Sequence, residues 1–332
     1  MKFMERASRL QRGKQGVGRR AAVLCCAVLC GGSFFHGQQT INKPSVSEQA
    51  SPPQEIQAEA RDGNKAVAVV RKPPGEGRFP AVIFLHGGLS PFPVATLKEY
   101  AASPTPSRFL AAGYVTVIPT FRSRREDPQT EAALWDTVAI TEYVKRLPDV
   151  DPNSVVVYGC SGGGSLALEL AGQTRLPAIA SEEPATVLFT GMFTKDLPRK
   201  GPELAGSDSL VLTDNHQRYF TPELRKFTRD KIRRITCPIL ILHGDDTGSV
   251  NRFASLNRFN NDVFVPELRA ARKKVEVIAY PEESHCFGIW GDRRPAAGKL
   301  FADVASFFKR YLRTQPVPID QSLVSETPIP SR

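Results

Sequence analysis

The segment Tyr158-Gly159-Cys160-Ser161-Gly162-Gly163-Gly164 lies at the middle of this 332-residue chain and contains the pattern G-x-S-x-G. The β-branched run before it, 154–158, predicts a strand, and the run after it, 165–171, predicts a helix. A serine in a tight turn between a strand and a helix has a strained backbone and an exposed hydroxyl, and its neighbours must be small. The pattern therefore predicts that Ser161 is a nucleophile.

Outward from this turn, apolar runs bounded by Gly, Pro or Asn recur along the chain and predict strands. Helical spacing of apolar residues predicts helices at 129–147 and 296–312. Strands that alternate with helices predict an α/β fold with a mostly parallel central sheet and helices on both faces. Besides 154–158, the predicted strands are Ala66–Val70, Ala81–Leu85, Val115–Pro119, Ala185–Thr190, Pro238–His243 and Val275–Tyr280.

With this turn, and with Asp149-Val150-Asp151-Pro152-Asn153 before its strand, the chain resembles the α/β-hydrolase superfamily. The single-domain branch similar to dienelactone hydrolases and prolyl oligopeptidases is the nearest. The resemblance covers about residues 61–313 and implies an α/β-hydrolase fold for them. Residues 196–236 lack a strand signal and are predicted to be a lid insertion, 38–60 a linker or loosely ordered lead-in, and 314–332 a Pro-rich tail.

The resemblance extends to Phe84-Leu85-His86-Gly87-Gly88, at the end of an early strand. In the superfamily this loop supplies part of the oxyanion hole, where backbone N–H groups stabilise charge that develops on the carbonyl oxygen. The implied donors are the N–H of Gly162 and that of Gly88 or Leu89. His86 itself is expected to shape the turn rather than to take part in catalysis.

The predicted general base is His285. Chain order in this fold is serine, acid, histidine, and His285 is the histidine that follows a late strand and precedes the last helix. Its imidazole would accept the Ser161 proton during attack and return it to the leaving group.

The acid is where the sequence departs from the family pattern. The usual H-G-x-x-D-x-x-V appears here as 243–250, HGDDTGSV, with Thr247 in the carboxylate position. Threonine cannot balance an imidazolium charge. Asp246 is the favoured candidate, Asp245 the next, and Asp196, after a preceding strand, is a third possibility.

Six cysteines are present, three of them in the first 37 residues. Cys160, Cys237 and Cys286 can form at most one disulfide, so the chain is no disulfide scaffold. Cys160 and Cys286 are expected to be structural filler rather than nucleophiles. Without a C-x-x-C pair, no metal site is predicted, and the serine mechanism requires no cofactor.

The N-terminus predicts export. Residues 1–37 carry +6 of the net charge of +10, and the apolar run Ala21–Phe35 follows Arg19-Arg20. That run is short for a membrane span, so residues 1–37 are predicted to be a cleaved export signal. The protein would then be periplasmic or secreted, by the Sec or the twin-arginine route. A signal that stays as a membrane anchor is the alternative. The rest of the chain carries only +4, which does not favour nucleic-acid binding.

These features predict a serine hydrolase that cleaves small carboxylic esters through an acyl-enzyme on Ser161. The first alternative is a peptidase of the prolyl-oligopeptidase type, although those enzymes generally add a large β-propeller and only about 25 residues lie between the predicted signal and the catalytic domain. The second is a non-catalytic binding protein on a hydrolase scaffold. The sequence does not indicate an oligomeric state.

Overall fold

The computed structural model describes residues 50–123, 131–192, 212–245, 253–281, 283–289 and 295–316. Eight strands form one sheet, in the order β1-β2-β4-β3-β5-β6-β7-β8. β2 pairs antiparallel with β1 and β4, and every other neighbouring pair is parallel. The strands are β1 (Gln54–Glu59), β2 (Lys65–Arg71), β3 (Phe79–Leu85), β4 (Val115–Pro119), β5 (Val150–Cys160), β6 (Ile179–Glu182), β7 (Ile239–Asp245) and β8 (Val275–Pro281).

Helices connect the parallel strands. A π-helical turn, Asn260–Phe264, joins α8 to α9 without a break. None of the helices within the described ranges is long and apolar enough to cross a bilayer. The helices are α1 (Val94–Ala101), α2 (Pro104–Ala111), α3 (Ala132–Lys145), α4 (Gly162–Ala171), α5 (Thr186–Thr190), α6 (His216–Tyr219), α7 (Pro222–Arg234), α8 (Ala254–Phe259), α9 (Val265–Ala270) and α10 (Pro295–Lys309).

The sheet is buried on both faces, as its apolar strands predict. Along β5, Val155 and Val157 point into one core, and Val156 and Tyr158 into the other. The first core includes side chains of α3 and α4, and the second includes those of α1, α2 and α10. The predicted α/β fold, with its mostly parallel sheet, is confirmed.

One predicted strand was wrong. Ala185–Thr190 lies almost entirely in the short helix α5, which ends at Gly191 with φ 71°. All five helical residues are buried, and a short apolar run does not distinguish a buried helix from a buried strand. The strand of this region is β6, whose four residues are all buried.

Two segment predictions differ from the structure in part. The last residues of 38–60 form β1, which pairs with β2 along its full length. Within 196–236, α7 is part of the crossover between β6 and β7, and its Ile232 lies in the first core. Residues 196–211, the remainder of the predicted lid, lie outside the described residues, as do 1–49 and 317–332.

Candidate active site

Ser161 lies in the turn between β5 and α4. Its backbone has φ 52° and ψ −116°, a conformation that residues with a side chain rarely adopt. Hydrogen bonds hold it there, because its N–H donates to Glu182 O at 2.9 Å and its carbonyl accepts from the N–H of Ser165 and of Ala185. The turn therefore presents the partly exposed Ser161 side chain at the carboxyl end of the sheet.

The glycines around Ser161 allow backbone segments to approach one another. A Cβ atom on Gly159 would lie 2.3 Å from Gly163 O, and one on Gly162 would lie 2.2 Å from Gly88 O. A Cβ atom on Gly163 would lie 2.2 Å from Leu85 O. These distances exclude a side chain unless the backbone moves, so the glycines allow the turn to pack against the loop after β3.

That loop contains the other predicted oxyanion-hole residues. Gly88 has φ 87°, in the region that favours glycine. Within the described part of the chain, neither the N–H of Gly88 nor that of Leu89 donates a hydrogen bond. The loop thus places two unengaged donors beside the start of α4, next to Gly162.

His86 is a structural part of the same loop. Its ring is stacked between Phe92, at 3.8 Å between ring centroids, and Phe121, at 4.2 Å. Nδ1 lies 2.9 Å from Gly87 O. Burial lowers the pKa of His86 to about 4, so the ring is neutral near pH 7. These contacts agree with the expectation that His86 shapes the turn.

His285 lies in the turn after β8, and its side chain is largely buried. Nδ1 lies 2.5 Å from Glu183 Oε2. The ring stacks on Phe253, with centroids 3.8 Å apart and planes at 17°. Nε2 has no hydrogen-bond partner within the described ranges. A histidine held through Nδ1 by a carboxylate has Nε2 available as a general base.

Glu183 is fully buried and accepts hydrogen bonds on both carboxylate oxygens. Oε1 accepts from Gly244 N at 2.9 Å and from Asn257 Nδ2 at 3.1 Å. Oε2, the atom beside His285, accepts from Cys286 N at 2.6 Å. The φ of 45° at Glu183 shows that the backbone is strained to place this carboxylate beside His285.

Sequence reasoning missed Glu183. Asp246 and Asp196 lie outside the described residues, and of Asp245 only the backbone, at the end of β7, is described. The carboxylate that the structure brings to His285 follows β6 instead, one strand earlier than the family pattern implies. The available signal was the pair Glu182-Glu183, which follows the apolar run 177–180 after one serine; the strand predicted at 185–190 lies too late in the chain.

Cys160 and Cys286 form a disulfide, with Cα atoms 5.8 Å apart. They are therefore a covalent link between the turn of Ser161 and the turn of His285 rather than filler, while Cys237 is free and buried. The ligand atoms of Glu183, His285 and Cys286 lie within 4.8 Å of one another. Because the Cys286 sulfur is in a disulfide, it is not the thiolate that metal binding requires, and this group does not fit a metal site.

Comparison with known proteins agrees with the fold and the turn. Residues 120–315 match the model of the prolyl oligopeptidase family. The chain belongs to that family. It is accordingly a member of the α/β-hydrolase superfamily, which confirms the resemblance seen in its motifs.

Individual relatives of this prolyl oligopeptidase family member have low sequence identity to it. The quorum-quenching protein AidA of Acinetobacter baumannii is 27% identical over 154 residues, which are 44% of this chain and 48% of AidA. The chain thus spans about half the length of that curated relative. A thermostable esterase from Pseudomonas putida has a TM-score of 0.56 at 17% identity, covering 81% of this chain and 85% of the esterase. An esterase from Pyrobaculum calidifontis has a TM-score of 0.54 at 18% identity, covering 78% and 85%. At such identities the likeness shows the fold alone.

Proposed function

We propose that this serine hydrolase cleaves carboxylic esters of small molecules through an acyl-enzyme on Ser161, with His285 as general base and Glu183 as the acid. The observation that carries the proposal is the contact of 2.5 Å between His285 Nδ1 and the buried Glu183 carboxylate, in a turn that the disulfide joins to the residue before Ser161. Nucleophile, acid and base follow one another in the chain in the order found in α/β hydrolases.

The first half-reaction forms the acyl-enzyme. Ser161 Oγ attacks the ester carbonyl as its proton passes to His285 Nε2, and Glu183 stabilises the imidazolium that results. The oxyanion of the tetrahedral intermediate accepts hydrogen bonds from the N–H of Gly162 and of Gly88 or Leu89. The intermediate collapses, the C–O bond to the alcohol breaks, and His285 returns the proton to the leaving alcohol.

The second half-reaction regenerates the enzyme. His285 accepts a proton from water, which attacks the acyl carbonyl and forms a second tetrahedral intermediate in the same oxyanion hole. This intermediate expels Ser161 Oγ, which takes the proton back from His285, and the carboxylic acid leaves. No step requires a metal or an organic cofactor.

Peptide-bond cleavage is the second candidate, because the family is named for a peptidase. Two proteins that share the fold are esterases, which supports ester substrates for this chain. A panel of p-nitrophenyl acetate, p-nitrophenyl butyrate and a blocked Gly-Pro-p-nitroanilide separates the two. Turnover of the anilide alone would contradict the ester proposal.

Export is proposed for the same protein. The basic and apolar N-terminus supports it, and the disulfide between Cys160 and Cys286 supports it independently, because disulfides persist in oxidising compartments. We expect full-length chain expressed in a bacterium to appear in the periplasm without about its first 37 residues and with Cys237 as its one reactive thiol after unfolding. Recovery in the cytoplasm with intact Met1 would contradict export.

The decisive test uses a serine-reactive fluorophosphonate probe on the protein without residues 1–37. We expect labelling of the wild type and none of Ser161→Ala, whose fold circular dichroism should show to be intact. Labelling that survives Ser161→Ala would contradict the mechanism. A folded wild type that neither reacts with the probe nor hydrolyses the panel would favour the non-catalytic binding protein.

A further inference from the structure

Glu182, the residue before Glu183, is a second fully buried carboxylate at the end of β6. Neighbouring residues at a strand end direct their side chains to opposite sides. Glu183 contacts His285 and Cys286, whereas Glu182 contacts Gly288 and Ile289 at the end of the same turn. The proposed mechanism does not use Glu182.

Glu182 accepts three hydrogen bonds. Oε1 accepts from the N–H of Gly288 at 2.8 Å, and Oε2 accepts from the N–H of Ile289 at 2.9 Å. Oε2 also accepts from the hydroxyl of Tyr158 at 2.6 Å. One carboxylate thus binds two successive backbone N–H groups that lie three and four residues after His285.

The carbonyl groups of the same two residues are bound by side chains as well. Thr105 Oγ1 donates to Gly288 O at 2.6 Å, and Tyr100 donates to Ile289 O at 2.5 Å. Gly288 has no spare room, since a Cβ atom would lie 2.6 Å from the Leu300 side chain. The segment 288–289 belongs to no helix or strand, so side-chain hydrogen bonds determine its position in place of a backbone ladder.

We infer that Glu182 is a positioning residue for His285. Glu183 holds the turn at residues 285 and 286, and Glu182 holds it at 288 and 289, so the two consecutive carboxylates fix both ends of the turn that carries the base. This inference rests on the proposed function, in which the direction of His285 Nε2 toward Ser161 determines the rate.

The charge of Glu182 suits this role. Its ionised form offers lone pairs to all three donors, whereas a protonated oxygen would have to donate where an N–H or O–H already donates. The groups that face it are Tyr158 on β5, Tyr100 on α1, Tyr280 on β8 and the adjacent Glu183. No basic side chain is among these, so burial favours the protonated form and only the three hydrogen bonds favour the charged form.

The test is Glu182→Gln, whose amide can accept from one N–H but presents an NH₂ group to the other. We expect kcat for p-nitrophenyl butyrate to fall about tenfold, equivalent to ~1.4 kcal/mol of transition-state stabilisation, with KM unchanged. Fluorophosphonate labelling should slow to a similar extent. Glu182→Asp keeps the carboxylate but is one methylene shorter, so it should lower kcat by less than Glu182→Gln does. It replaces Glu182→Gln in this test if the amide variant does not fold.

Ser154→Ala is the matched control. Ser154 is also buried, and it accepts hydrogen bonds from the N–H of Arg313 and of Thr314 near the other end of β5. Its loss should lower the unfolding temperature but leave kcat unchanged. A fall in kcat for Ser154→Ala as large as that for Glu182→Gln would show a general effect of stability and would overturn the inference.

A readout independent of turnover is the low-field proton resonance of the His285 Nδ1–H group. We expect it to shift in Glu182→Gln or Glu182→Asp and to stay in place in Ser154→Ala. Wild-type kcat and an unshifted resonance in folded Glu182 variants would overturn the inference. A wild type without hydrolysis, whose resonance nevertheless shifts in the Glu182 variants, would overturn the proposed function but not the positioning role.

Discussion

The disulfide between Cys160 and Cys286 joins the residue before Ser161 to the residue after His285. The two cysteines are 126 residues apart in the chain, and their Cα atoms are 5.8 Å apart. Ser161 and His285 come from different loops of the sheet, so their relative position would otherwise depend on packing and hydrogen bonds. The covalent link restricts that position directly.

Removal of this link should lower both stability and turnover. For Cys160→Ala/Cys286→Ala we expect the free energy of unfolding to fall by roughly 2–5 kcal/mol, because the unfolded chain regains the freedom that the cross-link removes. We also expect kcat to fall, because the turn with His285 is less restrained. Urea unfolding and ester hydrolysis measure the two effects.

Cys237→Ala is the matched control, since Cys237 is buried and unpaired. Cys237→Ala should lower the free energy of unfolding only by the contribution of one small buried side chain, and kcat should not change. Equal stability and equal turnover in the double variant and in this control would show that the disulfide does not support the site.

Glu183→Gln should lower kcat by about 10³- to 10⁴-fold, because an amide cannot balance the imidazolium charge of His285 and favours the wrong tautomer of its ring. KM should change little, since Glu183 is fully buried and therefore has no surface at which substrate could bind. Steady-state kinetics on the reactive ester measure both constants.

Asp245→Asn and Asp246→Asn are the corresponding controls, because the family pattern points to this loop for the acid. We expect each to retain most of the wild-type kcat. If kcat fell by several powers of ten in either variant while Glu183→Gln stayed close to wild type, the acid would be a residue of that loop rather than Glu183.

Gly162→Ala should abolish activity. The new Cβ atom would lie 2.2 Å from Gly88 O, so the turn and the loop with the oxyanion-hole donors must move apart. Gly172→Ala, at the other end of α4, is the control, since its Cβ atom would meet no atom closer than 3.4 Å. Full activity in Gly162→Ala, measured on the same ester, would contradict the close approach of the two segments.

The pH dependence of the free energy of unfolding should report the titration of Glu182. Burial raises the pKa of Glu182 to about 7 from an ordinary value of 4.5, so the folded protein binds this proton more tightly than the unfolded chain does. The resulting stabilisation is complete below pH 4.5 and is lost as the pH rises through 7. Glu182→Gln lacks this dependence.

The measurement is urea unfolding of wild type and Glu182→Gln between about pH 5 and pH 8. The stability of the wild type relative to the variant should fall across this range. Burial of His86, whose pKa of about 4 acts in the opposite sense, affects both proteins equally and cancels. A difference that does not change with pH would show that Glu182 titrates as it does in the unfolded chain.

Much of the fold could be predicted from local sequence. Buried strands such as β3 and β5 are apolar runs bounded by turn residues, and α3 and α10 repeat apolar residues at helical spacing. The position of Ser161 was also local information, since a strand, a tight glycine-rich turn and a helix follow one another within a few residues. His285 followed from its place after the last strand.

The tertiary structure alone decided which carboxylate and which cysteines complete the site. Glu183 reaches His285 because β6 and β8 end at the same edge of the sheet with only β7 between them, and no spacing in the sequence encodes that arrangement. Cys160 and Cys286 are likewise brought together only when β5 and the turn after β8 end at the same edge. Apolar periodicity identifies the side of an element that is buried, but contacts between side chains distant in the chain depend on the order of the strands in the sheet.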